Sequence, residues 1–217
     1  MSVSLVHHTN DGDNLIAYMA RVSNPSNQNN NNTAPKLIKY LIKHGHWSPL
    51  EMVSMCVSIK TTRSISAQLI RHRSFSFQEF SQRYAEVTEI PQVPELRRQD
   101  PKNRQNSIPF DNADTKEFSL MIEQYYQQGV FLYNSMLQAG VAKECARDVL
   151  PMASPTMLYM NGSARSWYHY LALRLGNGTQ KEHMEIAKEI YIVFRECFPV
   201  LGQILQDELT VKNDKNV

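Results

Sequence analysis

The chain has 217 residues, 42% of them hydrophobic, which is enough to bury a substantial core and predicts a single domain over residues 1–217. Lysine and arginine number 23 against 21 acidic residues, so the net charge of +2 gives no global attraction to a nucleic acid polymer or to an anionic membrane. Three scattered cysteines without a C-x-x-C pair, and the lack of a signal peptide or an apolar run of about 18 residues, predict a cytoplasmic, intracellular protein with no membrane span.

The first part of the chain predicts two helices separated by a polar loop. Residues 14–23 have helical apolar spacing. Residues 25–32, PSNQNNNN, predict an exposed loop because asparagine side chains compete with regular backbone hydrogen bonds. A second helix is expected from about Pro35 to His44, and Gly45 is well placed to end it.

The segment after this helix has two possible roles. S-P-L-E, from Ser48 to Glu51, is a capping box with proline at the first helical position, and helix capping and ligand contact are equal alternatives here. His44 and His46 form a lone H-x-H without further metal-ligand residues at suitable spacing, so no metal site is predicted. Packing or contact with a flavin edge is the expected role of His46.

Residues 52–60 alternate apolar and polar side chains, which predicts a half-buried strand. The following residues, 62–73, have helical spacing and lead into RHRSFSFQEFSQRYAEV, residues 71–87. In a continuing helix Arg71 and Arg73 would lie about 200° apart, so both reach one ligand only if the helix ends near His72.

Residues 75–83, if extended, place Glu79, Ser81 and Arg83 on one face together with Phe75 and Phe77. The arginine fork suits a phosphate, the serine hydroxyl adds a hydrogen bond, and the carboxylate accepts from sugar hydroxyls or orders the arginines. A phosphorylated nucleotide fits this combination.

Two alternatives remain open from the residues alone. The first is that the segment is an ordinary solvated basic surface. On physical grounds alone, this alternative and a ligand site have about equal prior odds. The second is that the segment belongs to an RNA-binding module in which Phe75, Phe77 and Phe80 stack on bases. This interpretation requires these aromatics to be exposed, and the near-neutral net charge disfavours it.

The rest of the chain predicts mainly helix. Since strand signals concentrate in residues 51–87, we expect an α+β fold with a small antiparallel sheet surrounded by helices, and the sequence has no G-x-G-x-x-G or P-loop motif for a Rossmann or ATP site. The predicted segments are an irregular stretch at 90–112, helices at 114–140, 141–150 and 161–178, and a long helix at 180–209 bent at Pro199.

Several motifs occur in a particular order. They are KHGHWSPLE (43–51), Gln68, R-H-R at residues 71–73 followed by seven residues and Ser81, AGVAKECARDVLP (139–151) and SARSWYHYLALR (163–174). In these motifs the chain resembles the flavin-dependent thymidylate synthases, from about residue 36 to residue 186.

The resemblance implies a flavoprotein methyltransferase that converts dUMP to dTMP. It implies that 5,10-methylenetetrahydrofolate, a folate, is the carbon donor, that FAD reduced by NADPH supplies the hydride, and that the protein is a homotetramer with active sites between subunits.

The resemblance also implies site residues. It places Arg174 beside the uracil as the activating residue, where a cation would stabilise negative charge developing on the ring. The implied FAD contacts are Ser48, Arg71, His72, Arg73, Glu79, Ser163, Ala164, Arg165 and His169. The implied dUMP contacts are Gln68, Arg71, Glu79, Ser81, Gln82, Arg83, Arg147 and Arg174.

Two further points qualify these roles. Ser81 lacks an activating base at an obvious spacing and is expected to bind ligand, and Cys56, Cys145 and Cys197 are expected to be buried spectators. The family commonly has asparagine at the positions of Ser163 and His169, and often a small residue at the position of Gln82.

Overall fold

Short strands and longer helices follow one another along the chain, which the computed structural model describes over residues 1–110, 112–176 and 178–214. In chain order the elements are β1 (Ser2–His8), α1 (Gly12–Ala20), α2 (Ala34–Lys43), β2 (Ser54–Thr62), α3 (Arg63–Leu69), β3 (Ser76–Glu79), β4 (Arg97–Gln99), β5 (Ser107–Pro109), α4 (Ala113–Gln138), α5 (Lys143–Ala146), β6 (Pro155–Ser163), α6 (Ala164–Arg174), α7 (Lys181–Cys197) and α8 (Pro199–Asp214). Short 3₁₀ helices lie at Pro25–Asn27, Asn31–Thr33, Ser48–Met52 and Arg147–Val149.

Four strands form the main sheet, in the order β1-β2-β6-β3, and β4 pairs with β5 in a separate antiparallel ribbon. Backbone hydrogen bonds beyond the two ends of the β2–β6 pair join Arg63 N to Ser154 O at 3.0 Å and Ala164 N to Val53 O at 2.8 Å. Residue numbers therefore rise along one strand as they fall along the other, so the pair is antiparallel. The predicted α+β class with a small antiparallel sheet is confirmed.

The chain divides into two compact units. The first unit contains Met1–Ile59, His72–Phe77 and the described residues from Tyr159 onward. The second unit contains Lys60–Arg71 and the described residues of Gln78–Leu158. The single domain expected from chain length stays a prediction.

Helix α6 is the centre of the first unit. Trp167, Tyr170 and Leu171 on this helix are almost completely buried, and the indole Nε1 of Trp167 donates to the backbone oxygen of Met55 on β2 at 2.8 Å. This bond satisfies the polar atom of a buried indole, so the ring can contribute its full apolar area to the core. Helix α7 packs against α6, α8 and β1.

The start of α8 is closed by an acidic residue from α1. Asp13 accepts hydrogen bonds from the backbone N–H groups of Val200 at 2.8 Å and Leu201 at 3.4 Å. These groups are among the first N–H groups of a helix, which have no partner inside it. Burial raises the pKa of Asp13, although both backbone bonds oppose that change.

The second unit has its own small core around α4. Tyr133 on α4 is completely buried with Val87 and Ala146, and its hydroxyl accepts from the backbone N–H of Val87 at 3.2 Å. Helix α4 begins at Asn112, whose side chain accepts from the backbone N–H of Thr115. This N-cap explains why the helix starts where it does.

Most of the predicted elements are present. The helices expected at 14–23, 35–44 and 114–140 correspond to α1, α2 and α4, and the strand expected at 52–60 corresponds to β2. Gly45 has a φ of 70°, the left-handed conformation that ends α2. The polar stretch 25–32 is mostly exposed, as predicted, but contains two 3₁₀ turns. The segment 141–150 is only a short α5 followed by a 3₁₀ turn.

Four predictions of secondary structure are wrong. Residues 161–163 continue strand β6 before the helix begins, and the stretch 90–112 contains the β4–β5 ribbon. The long C-terminal helix is two helices, because the chain leaves helical geometry at Phe198 just before Pro199, where proline disfavours the α conformation of its predecessor. The capping box does not form: Ser48 lies inside a 3₁₀ helix whose N-cap is Trp47, without a side-chain cap.

Asp111 and Asn177 fall in predicted segments but lie outside the described residues. Among residues 1–110, 112–176 and 178–214, none of the helices combines the length and apolarity that spanning a bilayer requires.

Candidate functional site

In the first unit, Arg174 lies in the last turn of α6 and contacts His72. Its Nε donates to Nε2 of His72, with 3.0 Å between the two nitrogens. Because a guanidinium N–H can only donate, Nε2 carries no proton and the imidazole is neutral with its proton on Nδ1. Burial, together with the positive charge of Arg174, lowers the pKa of His72 to about 4. Within the described part of the chain, Arg174 forms no ion pair with a carboxylate.

The ring of His72 is surrounded by other rings at nearly perpendicular angles. Its centroid lies 4.9 Å from that of Tyr170, 6.2 Å from that of His183 and 6.4 Å from that of Phe75. The hydroxyl of Tyr170 and Nε2 of His183 are 3.1 Å apart. Burial lowers the pKa of His183 to about 3, with further lowering by the charge of Arg174, and burial raises the pKa of Tyr170. These three titratable rings are therefore uncharged at neutral pH, and with Arg174 they form the His72 cluster.

Two of the predicted flavin contacts have structural roles at the start of α6. The hydroxyl of Ser163 accepts from the backbone N–H of Ser166 at 3.2 Å and caps the helix. Ala164 is fully buried. Ser163 therefore keeps an oxygen at this helix start even though the family commonly has asparagine there.

The next two predicted contacts lie on the exposed side of α6. Arg165 Nη1 is 2.9 Å from Glu51 Oε1, in an ion pair whose members are both more than a third exposed. The ring centroid of His169 lies 4.3 Å from that of Trp47, and burial followed by the charge of Arg165 lowers the pKa of His169. The exposed side of α6 and the adjacent Trp47 thus present a guanidinium group and two aromatic rings.

The turn after His72 approaches strand β6 very closely. Phe75 packs its ring against Gly162, where a methyl group would lie 2.5 Å from the ring, and against Trp167 at a centroid distance of 4.6 Å. Glycine is required there because any side chain would overlap the phenyl ring. Ser48 and Arg73, the remaining predicted contacts of this unit, are exposed.

In the second unit, Glu79 is the centre of a hydrogen-bonded group. Its Oε1 accepts from Arg63 Nη1 at 2.6 Å, from Ser66 Oγ at 2.8 Å and from Thr156 Oγ1 at 2.9 Å. We refer to these four residues as the Glu79 cluster. Three donors on one oxygen fix the orientation of the carboxylate and leave Oε2 to accept from a ligand.

Two arginines of the second unit, Arg83 and Arg147, each lie beside an acidic side chain. Arg83 donates from Nε and Nη2 to Glu144 Oε2, both at 3.1 Å, and each side chain is 53% exposed. Arg147 Nε lies 3.9 Å from Asp148 Oδ1. Exposed pairs of this kind contribute little stability, about 0–1 kcal/mol, so a phosphate can replace the carboxylate at small cost.

The predicted extension of the strand through residue 83 is wrong. β3 ends at Glu79, and the chain then turns, with a backbone hydrogen bond from Tyr84 N to Ser81 O at 3.1 Å. The alternation of Glu79, Ser81 and Arg83 on one strand face therefore does not exist. Helix α3, in turn, ends at Leu69, before His72, as the proposed use of both arginines requires.

The other predicted residues of the second unit differ in exposure. Gln82 is 7% exposed, and its Nε2 is buried with no hydrogen-bond partner within the part of the chain that the structure describes. Such a donor is expected to find a partner in a ligand or a water molecule. Gln68 and Ser81 are half-buried, and Arg71 is exposed.

The predicted site residues divide between the two units according to ligand. Seven of the nine flavin contacts lie in the first unit, and the exceptions are Arg71 and Glu79. Seven of the eight nucleotide contacts lie in the second unit, and the exception is Arg174.

Sequence reasoning missed several residues that contact the predicted ones or lie in the same clusters. They are Tyr170 and His183 in the first unit, and Arg63, Ser66, Thr156 and Glu144 in the second. For Ser66 and Thr156 a signal existed, because both are polar residues at otherwise apolar spacing. The partners of the others are distant in sequence and could not be found from spacing.

Two sequence-based expectations can be compared with side-chain exposure. Phe75 is buried and Phe77 half-buried, so the alternating exposed aromatics that the RNA-binding alternative requires are not present. Cys56 and Cys197 are buried as expected, whereas Cys145 is exposed on the four-residue helix α5, which has only one buried residue.

Comparison with known proteins gives a family match over most of the chain. The family model described as thymidylate synthase complementing protein matches residues 4–200. A relative from Paramecium bursaria Chlorella virus 1, named a probable flavin-dependent thymidylate synthase, is 50% identical over 202 residues, which are 93% of this chain and 94% of the relative. The flavin-dependent thymidylate synthase of Synechocystis is 49% identical over 195 residues, 89% of each chain.

A solved structure is similar over nearly the same length. The UMP/dUMP methylase PolB from Streptomyces cacaoi, bound with 5-Br dUMP, superposes with a TM-score of 0.83 at 27% identity, covering 95% of this chain and 94% of the other. The same enzyme bound with 5-Br UMP gives a TM-score of 0.85.

Proposed function

Because the chain belongs to the thymidylate synthase complementing protein family, we propose that its two groups of site residues carry out the reductive methylation of dUMP to dTMP. The chain is a flavin-dependent thymidylate synthase, a methyltransferase that uses FAD. The assignment of individual residues to nucleotide and flavin is our proposal.

The second unit supplies the residues we assign to dUMP. Arg83 and Arg147 present guanidinium groups whose present partners are exposed carboxylates, which a phosphate can displace. Glu79 offers Oε2 as an acceptor for a sugar hydroxyl, and Gln82 has a buried amide donor in need of an acceptor. Gln68, Arg71 and Ser81 complete the proposed set.

The first unit supplies most of the residues we assign to FAD. Arg73 and Arg165 are cations suited to a diphosphate, and the rings of Trp47 and His169 offer aromatic surface for a heterocycle. His72, Ser48 and Ser163 complete this part of the set, with Arg71 and Glu79 from the second unit, whereas Ala164 is fully buried and has no surface to offer a ligand. This donor set fits an anionic dinucleotide, and the bound flavin supplies the hydride for the reduction.

The observation that carries the mechanism is the contact of Arg174 with a neutral histidine. No neighbouring negative charge compensates the charge of Arg174, because its acceptor is uncharged and no carboxylate of the described residues pairs with it. We assign this charge to the pyrimidine, where it stabilises the negative charge that appears when the ring nitrogen between the two carbonyls loses its proton. Carbon-5 of the electron-rich ring then forms a bond to the methylene carbon of the donor as one bond between that carbon and a folate nitrogen breaks.

Further parts of the proposal concern co-substrates and assembly. We propose 5,10-methylenetetrahydrofolate as the carbon donor and NADPH as the reductant of the flavin, acting in the cytoplasm. We also propose a homotetramer, because exposed apolar side chains on α4 offer surface for a second copy. These side chains include Phe118, Met121, Tyr125 and Phe131.

The test uses the purified protein. We expect a yellow protein, or one that binds FAD on titration, that oxidises NADPH faster when dUMP and methylenetetrahydrofolate are added and that forms dTMP, detected by chromatography. Omitting dUMP is the control for flavin oxidase activity. A protein that neither takes up flavin nor forms dTMP contradicts the proposal.

A further inference from the structure

Two buried polar residues of the His72 cluster lie next to the His72–Arg174 contact and are assigned neither to the nucleotide nor to the flavin. Tyr170 is 2% exposed and His183 is 0% exposed, and the two share a hydrogen bond of 3.1 Å. Burying a hydroxyl and an imidazole costs free energy unless each finds a partner, and apolar side chains would fill the same volume without that cost. The pair therefore calls for an explanation beyond core packing.

The geometry relates the pair to Arg174 through a single ring. Tyr170 and His183 both contact the ring of His72, at interplanar angles of 77° and 89°. Together with Phe75, at 88°, they fix the plane of that ring from several sides. A ring whose plane is fixed also fixes the direction of the lone pair on Nε2, which is the acceptor for Arg174.

We propose that Tyr170 and His183 are positioning residues for Arg174, because their hydrogen-bonded pair packs two uncharged rings against the half-buried ring of His72, shields it from water and so preserves its Nε2 as the acceptor for the guanidinium. With Nε held in this way, the two terminal amino groups of Arg174 face the pyrimidine. The inference rests on the proposed function, since it takes uracil as the partner of Arg174.

The charges around His72 agree with this role. Among the described residues, the titratable groups that contact it are Arg174 and Tyr170 from α6 and His183 from α7, while its chain neighbours Arg71 and Arg73 are exposed. Protonation of His72 would place an N–H group against the N–H of Arg174 and break their bond. The low pKa of His72, about 4, keeps that protonation outside the neutral range.

The first experiment compares Tyr170→Phe and His183→Gln with Tyr191→Phe. The last variant is a matched control, because Tyr191 on α7 also loses a bonded hydroxyl, which donates to the backbone oxygen of Gly202, outside the His72 cluster. In the two test variants we expect kcat to fall about tenfold or more, since small displacements of a positioning contact have such effects, with KM for dUMP changed much less. The control should keep the wild-type kcat.

The second measurement is independent of turnover. In protein labelled with ¹³C-histidine, the His72 signal, assigned by its loss in His72→Gln, is titrated with pH. We expect its midpoint to rise from the wild-type value toward the ordinary 6.5 in Tyr170→Phe and His183→Gln, because water then reaches more of the ring, and the acid limb of kcat should move to higher pH with it. Tyr191→Phe should leave the midpoint unchanged.

The outcomes separate the two proposals. A test variant that loses thermal stability but keeps the wild-type His72 midpoint and kcat shows a structural role only and overturns the inference. If wild-type protein forms no dTMP, the proposed function fails, and the His72 midpoint still decides whether the pair protects that ring. If His183→Gln does not fold, the more conservative Tyr170→Phe gives the decision alone.

Discussion

The His72 cluster of the first unit and the arginine pairs of the second unit use opposite means to prepare a cation. Arg174 contacts a half-buried neutral imidazole, whereas Arg83 pairs with an exposed glutamate. A carboxylate can be displaced by a phosphate, so the second arrangement suits reversible binding of an anion. A neutral acceptor does not compensate the positive charge, so the first arrangement suits stabilisation of charge that develops only during reaction.

The largest loss of turnover is expected from removing the positive charge of Arg174. Arg174→Ala should lower kcat about 10²- to 10³-fold, as loss of one preorganised charge-stabilising donor does, while flavin binding is retained. Turnover and flavin absorbance measured on the same preparation check this. Retention of full activity would remove Arg174 from the mechanism.

The second prediction concerns the Glu79 cluster, in which a half-buried carboxylate of the nucleotide set pairs with Arg63. Glu79→Gln should weaken dUMP binding by roughly 1–3 kcal/mol, or about five- to hundredfold, because Arg63 loses its anionic partner and the ligand loses a carboxylate acceptor. Isothermal titration with dUMP measures the change. Glu51→Gln, the same substitution in an exposed ion pair of the first unit, is the matched control and should leave dUMP affinity nearly unchanged.

A third prediction concerns acid and tests whether the first unit depends on neutral histidines. The folded-state pKa values of His72 and His183, about 4 and about 3, lie below the ordinary value of 6.5. As pH falls below about 6.5, the unfolded chain therefore binds protons that the folded chain does not, and the free energy of unfolding decreases. Asp13, whose pKa is raised, opposes this trend.

Urea unfolding at several pH values between 7.5 and 5 measures this dependence. His72→Gln, which removes one of the two histidines, should show a shallower loss of stability on acidification. An identical slope in wild type and variant would contradict the assignment of His72 as a neutral, half-buried group.

The last prediction concerns the exposed ion pair of Arg83 and Glu144, whose removal should change dUMP affinity only slightly. Glu144→Gln should tighten dUMP binding about two- to fivefold, because it removes the carboxylate that a phosphate must displace from Arg83. Arg83→Ala should weaken binding, and the salt dependence of dUMP affinity should decrease with it. Weaker binding in Glu144→Gln would instead mean that Glu144 orients Arg83 for the nucleotide.

The sequence predicted the fold class and the principal helices because their apolar spacing is local information. It failed where long-range contacts decide the structure. Residues 161–163 have helix-forming neighbours but pair with other strands, and the capping box at Ser48 gives way to an ion pair between Glu51 and Arg165, which are 114 residues apart in the chain.

The site shows the same limit. The arginines and histidines near residue 72 were identified by their motif, but the motif does not indicate that His72 is an acceptor for Arg174, 102 residues later. The exposure of side chains in the turn after β3 also depends on where that strand ends. The alternating pattern predicted a strand through residue 83, whereas β3 ends at Glu79.

The close approach of Phe75 to Gly162 restricts how this protein can vary. Gly162 itself belongs to neither proposed ligand set, and a change from glycine to alanine adds only one carbon. That carbon would nevertheless overlap the ring of Phe75 and displace the turn that follows the R-H-R motif. We therefore expect most substitutions at position 162 to inactivate the protein, although Gly162 has no chemical role in the reaction.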